Sequence, residues 1–421
     1  MRWWPLLIIL LLAAGLAGFG ISFAQREPQY RVTSGSMAPV LLGPHYQLKC
    51  HRCQFPAILD ATQELPSEVT CPNCGYQKNN SVAAIEFLGE ELQWEPVRLE
   101  ELQRWDIVVL EDPRHENRLT VKRVAFLPGE RPRIRYGELY AGSQLLRKSP
   151  RQREAQKVLV FDQRYDAPEA SRFHPARPTG SGWSVRPGSL GFAPITESDP
   201  AEEDWLEYHH QACLPPPSPA HQDAVPRDNY AYNHALSREL FPASDLWLEG
   251  TIAHWGAQVI SLRLQAEQGE TTATIRIDLK NRVVRCTAGA EHTTLPLEIS
   301  SLQGFTFQAG VYDHQTFVQL RHGKRHWYFP LGQGRVTFGK CPLAIRVEGG
   351  PAVLQNAQVF RDVVYLGRHQ RDDAWSSDTS LGKNEIFVLG DNVPLSDDSR
   401  FDLGAVDASR HLRGRVVLKR P

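Results

Sequence analysis

The chain carries no excess of charge of either sign, only one long apolar run, and no strong internal repeat. Its 47 Lys plus Arg stand against 48 Asp plus Glu in 421 residues, so no global field favours nucleic acid as a partner. One segment alone looks membrane-bound. Residues 3–24, "WWPLLIILLLAAGLAGFGISFA", hold no charge and are long enough to cross a hydrocarbon core about 30 Å thick. Trp3 and Trp4 suit the interfacial belt. Ser22-Phe23-Ala24 would also suit cleavage as a secretory signal, but the run exceeds the usual apolar stretch of about 7–15 residues. Arg2 on one side faces Arg26 and Arg31 on the other, so the positive-inside rule leaves orientation open.

Thirty prolines and 31 glycines with 41% hydrophobic residues predict a turn-rich, mainly β protein of two or three domains. "WDIVVLEDP" (105–113) and "LTVKRVAFLPGE" (119–130) read as strands ended by turn signals. Residues 131–212 show little periodicity, and the prolines of 214–226 predict a stiff linker. From about 244 to 366 alternation is sustained. Ala273, Ile275, Ile277 and Leu279 share one strand face, as do Phe305, Phe307, Ala309 and Val311, which predicts a β-sandwich.

Three short elements carry chemistry. In "SGSMAPV", Ser34 and Ser36 follow the apolar run closely. Within "LTVKRVAFL", Lys122 alternates into an apolar strand, where burial disfavours its charged form and would leave an amine able to take a serine's proton. Alone it could equally be a strand lysine snorkelling to water, just as Ser-Gly-Ser could be a solvated turn. "GDNVPLSDDSR" (390–400) gathers Ser396, Asp398, Ser399 and Arg400 after the apolar strand "IFVL"; by itself this is a turn with an ion pair. Separately, Cys50, Cys53, Cys71 and Cys74 form C-x₂-C-x₁₇-C-x₂-C, a spacing suited to a four-cysteine zinc ribbon. Two disulfides are the competing reading. Cys213, Cys286 and Cys341 are unmatched; the last two could bridge or stay as thiols.

An anchor, Ser-Gly-Ser-Met-x-Pro, a strand bearing Lys-Arg, Gly-Asp-Asn with Ser-x-Asp-Ser-Arg, and a final Gly-Arg strand occur here in one order. In that order the chain resembles bacterial type I signal peptidase, the membrane-bound Ser–Lys serine protease. The likeness covers residues 5–48, 105–145 and 384–418. It implies a β catalytic core with an N-terminal transmembrane helix; the four-cysteine ribbon and the β-sandwich depart from the family and are expected as insertions into that core. The expected segments are an anchor at 3–24, core pieces at 25–48, 81–145 and 384–421, the ribbon at 49–80, an irregular insertion with a linker at 146–243, and the sandwich at 244–368. The sandwich itself resembles concanavalin- or laminin-G-like jelly rolls, which often take a glycan or protein ligand but in many cases only pack, so the resemblance leaves its job open.

By motif position, the resemblance makes Ser36 the nucleophile and Lys122 the general base. Ser34 becomes an oxyanion donor beside the Ser36 N–H, Ser396 a hydrogen-bond partner that orients Lys122, Asp398 and Arg400 a wall-forming pair, and Arg123 a structural neighbour. Met37 matches a hydrophobic residue at the membrane-facing edge. Implied partners are the lipid bilayer and exported preproteins with Ala-x-Ala-like cleavage sites. The implied location is the cytoplasmic membrane, single-pass, with the catalytic part outside. No cofactor is expected for catalysis, and zinc would be structural. A tethered binding protein with a degenerate protease core is the alternative, as is a protease with one dedicated substrate.

Overall fold

A computed structural model describes residues 30–195, 203–219, 221–266, 269–367 and 374–418. The anchor expected at 3–24 lies outside them, and among the described residues no helix is long and apolar enough to cross a membrane. The described architecture is mainly β, as expected.

One part of the chain is built on a six-stranded sheet in the order Val406–Asp407, Glu385–Leu389, Leu119–Phe126, Ile107–Glu111, Leu412–Val416, Trp94–Glu95. Its central strand, Leu119–Phe126, is buried from Val121 to Phe126. Such near-continuous burial explains the run of Val, Ala and Phe there: both faces are covered. Ile107, Val109 and Val121 pack with Val32, Met37 and Leu41 on one side. Val108, Leu110 and Val124 pack with Ile386 and Val388 on the other. Strands from the two ends of the chain thus complete one sheet, and residues between 126 and 385 are an excursion from it.

Most of that excursion is a sandwich of an eight-stranded and a seven-stranded sheet. The alternation at 273–279 and 305–311 is borne out, since Ala273, Ile275, Ile277, Phe305, Phe307, Ala309 and Val311 all enter its core. The sandwich begins earlier than 244, however. Val158–Asp162, Phe173–Pro175, Trp183–Arg186, Ser189–Phe192 and Leu206–Tyr208 are already strands of its two sheets. These strands have three to five residues, too short to display a period; their pairing partners, not their own pattern, define them.

The cysteine insertion also differs in its bounds. Its three-stranded sheet takes His45–Lys49, Pro56–Asp60 and Ile85–Phe87, so it reaches past 49–80 on both sides. Asn73 fastens it to the sandwich: its side chain accepts from the Asp162 N–H and donates to the Asp162 and Tyr165 carbonyls. Buried Arg172 adds bonds to the Pro72 and Asn73 carbonyls.

Candidate active site and cysteine centre

Ser36 lies in a short 3-10 turn, Gly35–Met37, preceded by Ser34 in extended conformation. The N–H groups of a first helical turn lack intrahelical acceptors, which leaves the Ser36 N–H suited to a developing oxyanion. Ser34 makes no capping bond with its side chain; its Oγ sits 3.3 Å from the Ser36 Oγ instead. Met37, expected at a membrane-facing edge, is 1% exposed and packs beneath the sheet against Ile107 and Val109. That buried side chain holds the serine turn down on the core.

Lys122 points its Nζ to the Ser36 Oγ at 3.1 Å, across 86 positions of sequence. It stands opposite Val108 in the strand register and is 4% exposed. Burial holds its amine below the usual lysine range; Arg400 and Arg114 push the same way, while Asp398 and Asp397 oppose them. The dominant cause is desolvation of the ammonium form. A neutral amine within hydrogen-bond reach of a hydroxyl is the arrangement that general-base activation needs.

The remaining predicted residues gather around this pair with one difference. Asp398 and Arg400 form a fully buried bidentate pair at 2.8 and 2.9 Å. The Asp398 carboxylate also accepts from the Gly390 N–H, and Arg400 donates to the carbonyls of Leu366 and Val393. Arg123 pairs with Asp391 through two 2.6 Å bonds. Ser396, expected to orient Lys122, makes no such bond: its hydroxyl is buried without a partner. It is packed beside Gly390, where an added Cβ would meet the Ser396 Oγ at 2.2 Å and the Ser36 carbonyl at 2.4 Å. Glycine is therefore required there by close approach.

Sequence reasoning missed Asp391 and Asn392 as contributors. The Asn392 N–H donates to the Ser36 carbonyl and its side chain to the Gly35 carbonyl, both at 3.0 Å. Gly-Asp-Asn reads as an ordinary turn in sequence; only folding brings it against the serine loop.

The four cysteines converge as expected. Their sulfurs lie within 4.8 Å of one another and all four residues are buried. The cysteines are free, with Cys50–Cys74 and Cys53–Cys71 sulfur separations of 3.7 and 3.6 Å. A disulfide needs about 2.05 Å. A tetrahedral ion with metal–sulfur bonds of about 2.3 Å gives sulfur–sulfur edges of roughly 3.8 Å. The donor set therefore fits zinc. Each knuckle has the same backbone plan. The N–H groups of Gln54 and Gly75 donate to the carbonyls of Cys50 and Cys71, and those cysteines' N–H groups donate to the carbonyls of Phe55 and Tyr76. Gln54 and Gly75 take the same left-handed conformation, with φ of 65° and 70°.

One family comparison covers part of this site. Residues 1–190 match the signal peptidase family, peptidase S26. That match supports a signal-peptidase domain with hydrolase activity. It spans Ser34, Ser36, Lys122, Arg123, Cys50, Cys53, Cys71 and Cys74, while Gly390–Arg400 lie beyond it. No curated protein matches the chain. Among solved structures, a galectin from Caenorhabditis elegans is similar at 13% identity and a TM-score of 0.21, over 28% of this chain and 83% of that one. The Ca2+-bound VIP36 exoplasmic/lumenal domain is similar at 6% identity and 0.29, over 52% and 95%. An alginate lyase from Alteromonas sp. 272 is similar at 8% identity and 0.26, over 46% and 95%. At TM-scores this low, the likeness fixes neither fold nor function.

Proposed function

We propose that this chain is a membrane-bound signal peptidase that cleaves exported preproteins with a Ser36–Lys122 dyad. The observation that carries the reading is the 3.1 Å contact between the Ser36 hydroxyl and a buried lysine amine of lowered basicity. Neutral Lys122 takes the Ser36 proton as Oγ attacks the scissile carbonyl. The Ser36 N–H and the Ser34 hydroxyl, turned from its resting contact, hold the resulting oxyanion. Lys122 then protonates the leaving amine, and the amine form activates the water that hydrolyses the acyl-enzyme. Asp398–Arg400 and Arg123–Asp391 fix the walls. Ser396 would engage Lys122 only after a shift of its hydroxyl.

The cysteine centre would hold one structural zinc through Cys50, Cys53, Cys71 and Cys74, because four protein ligands leave no open coordination position. Membrane attachment is supported by the uncharged run at 3–24 and by Val82, Ile85, Phe87 and Leu88, which are exposed. These precede Glu91–Leu92, the strand paired with Tyr30–Arg31 where the described chain begins. The catalytic part would then face the extracytoplasmic side. Incubating the purified full-length protein with a preprotein bearing an Ala-x-Ala site should yield the mature form. A wild-type protein that leaves such preproteins intact would refute the reading.

A further inference from the structure

The excursion between the two halves of the catalytic sheet returns to touch the nucleophile loop before its last strands are made. Residues Ala231–Asn233 form a 3-10 turn far in sequence from every residue expected in the site. Tyr232 is fully buried, with its ring lying on Gly35. An added Cβ at Gly35 would fall 2.3 Å from the Tyr232 Cε1, so the small residue before Ser36 is the seat for this ring. The Tyr232 hydroxyl donates to the Pro44 carbonyl at 3.4 Å. Next to it, Asn233 and Asn392 exchange two amide hydrogen bonds of 2.8 and 2.7 Å. Asn392 is the residue that holds the carbonyls of Gly35 and Ser36.

The turn is itself tied to the sandwich. Arg361, which ends a strand of the eight-stranded sheet, donates to the carbonyls of Asp228 and Asn229 at 3.2 and 3.0 Å. A continuous set of contacts therefore runs from the sandwich through 228–233 to the serine turn. Other clusters carry less. Near Cys341, His209 Nδ1 is already engaged by Asp223 and Glu207 by Arg263. Lys148 already occupies the carboxylates of Asp313 and Asp362.

We propose that Tyr232 and Asn233 are positioning residues of the Ser36 loop, through which the inserted part of the chain sets the alignment of the nucleophile with Lys122. They act through Gly35 and Asn392 and touch no reacting atom. The proposal rests on the Ser–Lys reading for its catalytic consequence, but the clamp itself is measurable without activity.

The test uses the full-length chain and Asn233→Ala, with Asn233→Ser and Tyr232→Phe as milder variants should Asn233→Ala fold poorly. Hydrogen exchange read by mass spectrometry should show faster exchange in peptides covering 34–41, with ribbon and sandwich peptides unchanged. On a preprotein substrate, kcat should fall about 10- to 100-fold with KM nearly constant, as small misplacements of a reacting group do. Asn233→Gln, which keeps the amide, should recover part of the loss. Unchanged exchange at 34–41 overturns the clamp whatever the activity. Faster exchange with an unchanged kcat overturns the positioning role. If the wild-type chain cleaves no preprotein, the Ser–Lys reading fails and the exchange result alone decides the clamp.

Discussion

The cysteine centre and the serine centre are both buried polar sites, yet they are built in opposite ways. Each cysteine knuckle closes within six residues by its own backbone bonds, Cys50 to Phe55 and Cys71 to Tyr76. The serine centre draws on residues 34–36, 122–123, 231–233 and 390–400, joined by contacts across 86 to 357 positions. The first keeps its local geometry wherever two knuckles can meet. The second exists only when the whole sheet has closed. With the zinc proposed for it, a site of the first kind fails by losing that ion, and one of the second kind fails by small displacements.

The sharpest way to break the comparison is at the dyad. Ser36→Ala and Lys122→Ala should each reduce preprotein cleavage by several orders of magnitude, and the double variant should be no slower than either, because the two act as one unit. Additive losses in single-turnover rates would mean separate roles.

At the cysteine centre the loss should appear in stability. Zinc measured on protein purified without chelator should be about one per chain, and Cys71→Ser should abolish it. A structural zinc site contributes on the order of 10 kcal/mol to folding, so that variant should melt well below the wild type while Ser36→Ala does not. Equal melting temperatures for Cys71→Ser and wild type would remove the zinc assignment.

A smaller effect is expected at Gly390. The added methyl of Gly390→Ala must displace the Ser36 carbonyl, 2.4 Å away. A shift of about 1 Å at a reacting group costs roughly 10²-fold. The variant should therefore lose kcat about that much while retaining zinc. Wild-type turnover in Gly390→Ala would show that the serine loop tolerates movement.

The smallest effect is in pH dependence. The folded state holds Lys122 below its ordinary value of 10.5, so the folded chain binds fewer protons than the unfolded chain between the lowered value and 10.5. Stability should accordingly rise with pH across that window, and the penalty for burying Lys122 is greatest below it. Cleavage should rise through the lowered value as the amine becomes neutral. In Lys122→Met, the melting-temperature difference from wild type should shrink as pH approaches 10.5. A difference constant with pH would mean that Lys122 is not titrating in the buried site.

Sequence alone determined the parts whose geometry is local. The C-x₂-C pairs set the knuckles, because a loop closing within six residues leaves few backbone paths back to one point. Alternation at 273–279 and 305–311 fixed which faces enter the sandwich, because strand side chains repeat every two residues. Ser36 and Lys122 were legible as residue types in an ordered set of motifs. Tertiary structure decided the rest. It recruited three- to five-residue strands from 158–208 into the sandwich, left the Ser396 hydroxyl without a partner, and brought Asp391, Asn392 and Asn233 to the serine loop. None of these has a local signal, since an asparagine in a turn looks the same in sequence whether it faces water or the carbonyl of Ser36. What distinguishes them is the closure of one sheet by strands from the two ends of the chain, which is a property of long-range pairing rather than of any segment.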